Sequence, residues 1–270
     1  MKQFKGIFRF LASMINQRYL IQQLVRRDFQ NKYLASYIGL PWAFMQPAVL
    51  VLVMWFAFSY GLKISVMESG IPFVPWLICG MLPWLFISDT LTSSSGSLIE
   101  YSYLIKKTSF KVGIIPLIKI FTAFIIHLVF VVVIALIAVL YGYYPSIHWI
   151  QIFYYLFAVF VLLTGVGWLV SSLTVFVRDI GHMINVVTSV LFWATPIIWP
   201  YSMLQGNFKY MALLNPIFYI TEGYRYTFLE QTWFFEYQEM TIFFWAFTAL
   251  LFVAGALVFQ RLKPHFADVL

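Results

Sequence analysis

Charged residues are scarce in this sequence. They make up 10% of its 270 residues, whereas a soluble domain contains about 25%, so an ordinary soluble protein is excluded. Hydrophobic residues account for 62% and aromatic residues for 21%, which is typical of a chain with many side chains near lipid headgroups. The composition indicates an integral membrane protein. Its net charge of +7 does not indicate nucleic-acid binding, because the inner loops of membrane proteins are basic.

Cysteine and the common catalytic motifs are almost absent. Cys79 is the only cysteine, which excludes an intrachain disulfide and a cysteine-based metal cluster. The sequence contains no G-x-x-x-x-G-K-[ST], so it cannot hold ATP through a P-loop, and it contains no H-E-x-x-H. We therefore predict that this chain is not an enzyme by itself and holds neither a metal nor a cofactor.

Acidic residues inside the apolar stretches are equally rare. Asp89, beside the polar run TSSSGS, is the only one. Ion-coupled transporters use carboxylates near the middle of the membrane, so the sequence favours an energy source outside this chain. His127 lies within an apolar stretch, either as a proton relay or as a neutral histidine bonded to a neighbouring helix, and we favour the second.

The apolar stretches predict an all-α integral membrane protein with six transmembrane helices. Each stretch approaches the roughly 20 residues that a span needs, and none shows strand-like alternation. Thirteen of the 17 Lys and Arg lie in segments that this topology places inside, so both termini are predicted to be cytoplasmic. The predicted spans are 37–61, 72–92, 114–142, 149–177, 183–201 and 240–260.

Two further segments do not span. Residues 1–36 form a predicted amphipathic interface helix that either anchors the N-terminus or docks a partner. Its apolar face contains Ile7, Leu11, Met14, Ile21, Val25 and Phe29. Residues 202–239 are too polar to span, and Asn215–Pro216 divides them. We predict short re-entrant helices there, acting as an extracellular gate or as an interfacial cap.

Four motifs occur in order along the chain. They are NKYLASYIGLPWAFMQP at 31–47, LIKK with IIP at 104–116, VRDIGHM with TPIIWP at 177–200, and LNPIFYITEGYR at 214–225. This pattern resembles the permease subunits of ABC-2 type exporters and predicts a transmembrane domain over 37–270. The stretches at 146–155, 222–235 and 262–270 are similar to wall teichoic acid permeases. O-antigen and capsular polysaccharide permeases share the four motifs and stay as alternatives.

The resemblance implies partners and a location. Such permeases lie in the bacterial plasma membrane as homodimers, and they pair with two copies of a separate ABC ATPase subunit that binds ATP and Mg. The expected substrate is an anionic polymer on polyprenyl diphosphate, with membrane lipid around it and no nucleic acid. The loop 97–113 would be the main ATPase contact, and the turn at Arg178 a smaller one. The residues assigned to this coupling are Glu100, Tyr103, Lys106, Lys107, Arg178 and Asp179.

Basic and aromatic residues suggest a substrate path. Arg26, Arg27 and Lys32 could attract phosphate at the inner mouth, although they also satisfy the positive-inside pattern or could face the ATPase. Six aromatic residues could contact sugar faces along a conduit, although most aromatic residues in membrane helices face lipid or pack against neighbours. They are Trp42, Phe44, Trp76, Trp84, Phe86 and Trp199.

The gate is predicted to include Asn215 and Pro216 at the break, and Glu222 and Arg225 as a stabilising i, i+3 pair. Two other classes of function compete with ATP-driven export. An ion-coupled secondary transporter would need essential buried carboxylates. A membrane glycosyltransferase or ligase would need paired outer carboxylates, and the glutamates between 222 and 239 have no such spacing.

Overall fold

The computed structural model describes residues 17–34, 37, 39–63, 66–67, 70–106 and 110–270. This part of the chain is mainly helical, as predicted. We number the α-helices in chain order: α1 Arg18–Phe29, α2 Pro41–Phe56, α3 Phe73–Ser95, α4 Ser97–Glu100, α5 Ser102–Ile105, α6 Ile115–Leu140, α7 Ile152–Phe176, α8 Asp179–Ala194, α9 Asn207–Leu213, α10 Pro216–Arg225, α11 Gln238–Leu262 and α12 Phe266–Val269. Wider π-helical turns extend α1 to Leu34, α2 to Gly61 and α10 to Glu230.

Five helical segments of the described chain are long and apolar enough to cross a membrane. They correspond to predicted spans one to four and six. Their bounds are Pro41–Gly61, Phe73–Ser95, Val112–Leu140, Ile147–Phe176 and Gln238–Val269.

The predicted span 183–201 differs in its bounds. Its helix, α8, has 16 residues and a length of about 24 Å, less than the roughly 30 Å of the hydrocarbon layer. It ends at Ala194 because Pro196 disfavours helical geometry at the residue before it, and Thr195 is extended with ψ 137°. Ile197 and Ile198, beyond this break, are buried. The helix therefore starts four residues earlier than predicted and stops well before residue 201.

Helix α3 lies at the centre of the fold. It packs against α6, α7, α8 and α10, and most of its residues are buried despite its polar end. The hydroxyls of Ser93, Ser95 and Ser97 donate to carbonyl oxygens three residues earlier, which satisfies them without partners on other helices. Helix α2 is the opposite case, because none of its residues is buried.

The N-terminal helix packs along α6. Leu24 and Val25 of α1 form a small apolar cluster with Ile114 and Ile118, and Ile21 packs against it. This contact involves Ile21 and Val25 of the predicted apolar face, whereas Phe29 packs against the main core. Ile7, Leu11 and Met14 lie outside the described residues, as does the first half of the predicted interface helix.

Two short helices, α9 and α10, flank the predicted break in the segment 202–239. Asn215 caps α10, since its Oδ1 accepts from the Ile217 amide at 2.9 Å and its Nδ2 donates to Thr195 Oγ1 at 2.6 Å. Pro216 is the first helical residue, where the missing N–H has no consequence. Residues 217–229 are buried, so α10 belongs to the core of the fold.

Candidate functional site

A groove of about 470 Å³ opens beside α2 and brings several predicted residues together. Its walls come from the end of α1 and from α2, α3, α6 and α8. The lining includes Lys32, Trp42, Gln46, Phe86, Asp89 and His127. The lining therefore combines aromatic and apolar side chains with two charged ones.

The two charged residues of the groove, Lys32 and Asp89, form an ion pair. Lys32 Nζ lies 2.6 and 2.7 Å from the two carboxylate oxygens of Asp89. Both side chains are partly exposed, at 29% and 39%, and such pairs contribute only about 0–1 kcal/mol. An anion in the groove can therefore compete with Asp89 for Lys32 at little cost. Arg26 and Arg27 are exposed on α1 and do not line this groove.

Of the six predicted conduit aromatics, two line the groove, two lie next to it and two lie away from it. Trp42 and Phe86 line the groove. Phe44 contacts the groove residue Phe130, with ring centroids 5.7 Å apart, and Trp84 lines an adjoining cavity of about 270 Å³.

Trp76 and Trp199 lie away from the groove. The guanidinium of Arg225 covers the Trp76 ring at 3.6 Å from its centroid. Trp199 Nε1 donates to the carbonyl oxygen of Trp193 at 3.2 Å. Their assignment to a conduit stays a prediction.

His127 is hydrogen-bonded to a neighbouring helix. Its Nε2 lies 2.6 Å from the Tyr224 hydroxyl of α10, and its ring stacks on Phe86 with centroids 4.5 Å apart. This geometry confirms the bond to a neighbouring helix, and the neutral state of the ring stays a prediction. The ring also connects the groove to α10.

The turn at Arg178 lies next to the predicted coupling loop 97–113. Arg178 shares a cavity of about 310 Å³ with Ile99 and Ser102, so the turn between α7 and α8 adjoins the loop 97–113. Asp179 lies in the first turn of α8, where the helix dipole favours a negative charge. Tyr103 and Lys106 are exposed, and Lys107 lies outside the described residues.

Glu100 has a partner that the sequence did not predict. It pairs with Lys119 of α6, which also binds Asp28 of α1. Neither Asp28 nor Lys119 was assigned a role from sequence, although a lysine just inside an apolar span was a signal for one. This cluster joins the loop 97–113 to the helix that carries Lys32.

The predicted Glu222–Arg225 pair is present, but it is buried. Arg225 is fully buried and its Nη1 donates to Glu222 Oε1. Its guanidinium also donates to the carbonyl oxygens of Pro196 at 3.0 Å and Ile197 at 2.8 Å. Both carbonyls lie in the segment just beyond the end of α8. The pair therefore ties α10 to the segment that follows α8.

A family model described as ABC-2 type transporter matches residues 19–229, which extend from α1 through α10. The chain belongs to the ABC-2 type transporter family. The matched range contains the groove, the Lys119 cluster and the Glu222–Arg225 pair. The resemblance inferred from the four motifs is confirmed.

Relatives in this family match the chain along almost its whole length. It is 27% identical to an O-antigen export system permease protein of Klebsiella pneumoniae over 259 residues, covering 94% of this chain and 97% of that protein. It is 24% identical to a permease of the same description from Myxococcus xanthus over 270 residues, covering 97% of this chain and 99% of the relative. The family and its apolar helices identify a multi-pass bacterial membrane protein.

Proposed function

We propose that this chain is the membrane subunit of an ATP-driven exporter that moves a lipid-linked polysaccharide outward across the plasma membrane. The observation that carries the proposal is the nearly end-to-end match to O-antigen export permeases. The groove supports it, because a cation and aromatic side chains lie side by side there, as a diphosphate joined to a sugar requires.

The polymer is proposed to be a glycan of the O-antigen type. The relatives favour this alternative over the wall teichoic acid predicted from the shorter stretches, and a polyol-phosphate polymer stays a prediction. Both substrates share a polyprenyl diphosphate anchor. Lys32 would attract the diphosphate while the lipid tail stays in hydrocarbon, worth about 1 kcal/mol for one lysine at the membrane surface.

The energy source is proposed to be a separate pair of ABC ATPase subunits that hold ATP and Mg. The sequence lacks a P-loop, and the family of the chain supports this arrangement. We also propose that two copies of the chain form the conduit. No residue of α2 is fully buried and more than half of them are exposed, which leaves an exposed face for lipid or for the second copy.

Depletion of this chain in its host tests the function. Export should stop, and the lipid-linked polymer should accumulate on the inner leaflet, with recovery on re-expression. The phosphate content of the accumulated polymer distinguishes a glycan from a polyol-phosphate chain.

Changing the P-loop lysine of a co-purifying ATPase should stop export equally. If export instead continues without any ATPase but stops when the proton gradient is collapsed, a secondary transporter is the better explanation.

Changing Lys32 and changing Asp89 should affect substrate binding in opposite directions. Lys32→Gln should weaken binding of polyprenyl diphosphate by about fivefold, because the lysine contributes about 1 kcal/mol. Asp89→Asn should strengthen binding, because it removes the competing carboxylate. Binding is measured with the purified chain in nanodiscs. Lys209→Gln, an exposed lysine of the segment 202–239, is the control. A loss of binding in both pair variants would contradict the competition and indicate a structural pair.

A further inference from the structure

Three structural elements meet at the ammonium group of Lys119. This residue lies in the first turns of α6 and is 7% exposed. Its Nζ is 2.6 Å from Asp28 Oδ1 of α1 and 2.7 Å from Glu100 Oε2 at the end of α4. One cation therefore holds the N-terminal helix, the coupling loop and a membrane span together. We call Asp28, Lys119 and Glu100 the ionic latch.

Tyr101 reinforces the buried side of the latch. Its hydroxyl donates to Asp28 Oδ1 at 2.8 Å, and its ring centroid lies 5.2 Å from Lys119 Nζ. Burial raises the pKa of the Tyr101 phenol, and the nearby Asp28 raises it further, so this hydroxyl remains a donor. Asp28 is 2% exposed, and its Oδ1 accepts hydrogen bonds from both Tyr101 and Lys119.

The two ion pairs of the latch differ in how easily they separate. The Asp28–Lys119 pair is buried, and separating it would leave an uncompensated charge out of water. Glu100 is 53% exposed, so water can replace Lys119 as its partner. Helices α1 and α6 should therefore move as one body. Tyr101 keeps the loop bonded to Asp28 of α1, whereas the Glu100–Lys119 contact at the surface can open and close.

Helix α1 also carries the cation of the groove. Lys32 follows Asp28 by four residues, about one helical turn, and α1 continues as a π-helical turn through Leu34. The same short segment is thus tied to the latch at Asp28 and to α3 at Asp89. A shift of α1 relative to α3 changes the Lys32–Asp89 distance directly.

We propose that the ionic latch transmits movement of the loop 97–113 to Lys32, so that Lys119 and Glu100 are positioning residues that couple ATP turnover to the groove. This rests on the proposed function, because the ATPase must move the loop. Glu100 is the detachable connection and Lys119 the fixed one. Without the latch, the ATPase would turn over while Lys32 stayed in place.

The test uses the whole permease–ATPase complex in proteoliposomes. Glu100→Gln removes the charge of the exposed partner and spares the buried pair, so the protein should fold normally. ATP turnover should persist, and polymer export per ATP hydrolysed should fall about fivefold or more, the lower range of allosteric coupling. Glu100→Asp, which retains the charge, should recover part of this loss. Glu239→Gln, an exposed glutamate at the start of α11, should match the unaltered complex.

A labelling experiment follows the transmitted movement itself. Cys79 is buried, so Gln46→Cys, in the groove lining, supplies the reactive thiol, and the unaltered chain gives the background. Its reaction rate with a water-soluble maleimide should differ between the ADP-bound and ATP-bound complexes. Adding Glu100→Gln should reduce that difference, because only the Tyr101–Asp28 bond then connects the loop to the latch.

The possible outcomes separate the latch from the proposed function. If Glu100→Gln exports normally per ATP in a complex that does contain an ATPase, the latch is wrong and the exporter stands. If the variant only lowers protein abundance, with export per ATP unchanged, the cluster is structural and the inference fails. If the unaltered chain binds no ATPase, the proposed function fails together with the latch.

Discussion

Arg225→Met is expected to lower the free energy of unfolding by about 3–5 kcal/mol, the usual cost of removing one partner of a buried ion pair. Arg225 has no exposed surface, and its guanidinium satisfies Glu222 and the carbonyl oxygens of Pro196 and Ile197. Methionine fills part of the volume but offers no donor. Glu222 and two carbonyls would then stay buried without partners, which is why the loss exceeds that of a typical substitution.

The thermal unfolding midpoint in detergent measures this loss. Lys209→Met is the matched control, because Lys209 is an exposed cation of the same region, and its midpoint should stay within the range of surface substitutions. Combining Arg225→Met with Glu222→Gln should recover part of the loss, since no uncompensated charge remains. A fully stable Arg225→Met protein would contradict the role assigned to the pair.

Gly255→Ala is expected to destabilise the protein by about 3 kcal/mol, at the upper end of overpacking effects. Helices α7 and α11 cross at Gly165 and Gly255 with their backbones in contact. A Cβ at Gly255 would overlap the carbonyl oxygen of Gly165, and one at Gly165 would lie 2.6 Å from the Cα of Phe252. Backbone atoms cannot rotate away as a side chain can, so the two helices must separate.

Gly96→Ala provides the comparison. Gly96 joins α3 to α4 with φ −89°, and nothing lies within 4 Å of a Cβ there. This change should be neutral or slightly stabilising, because alanine restricts the unfolded chain more than glycine does. The thermal unfolding midpoints of Gly255→Ala and Gly96→Ala measure this difference in stability. Equal midpoints would show that the α7–α11 crossing tolerates a wider spacing.

Helix identity and approximate position could be predicted from sequence because they depend on local properties. A run of apolar residues of sufficient length predicts a span wherever its neighbours lie, and five of the predicted spans match helices in the described chain. The remaining helix ends earlier than predicted, because hydropathy does not take into account that a proline ends a helix. Pro196 ends α8 at Ala194, although the apolar residues continue to Trp199.

Partners across long separations could not be predicted in the same way. Lys119 binds Asp28, which is 91 positions away, and Arg225 donates to Trp76, 149 positions away. In the sequence, Lys119 is only a charge near the end of the predicted span 114–142. Which carboxylate lay opposite it depended on how α1 packs along α6.

The sequence by itself determined the class of this protein, five of its spans and its family, because composition, run length and ordered motifs are properties of the chain alone. The tertiary structure decided which residues meet. It placed Trp42, Phe86, Lys32 and Asp89 around one groove, set Trp76 against the guanidinium of Arg225, and joined the loop 97–113 to α1 through Lys119. Helix packing sets these contacts, because the face that each helix turns toward its neighbours depends on the whole arrangement of helices.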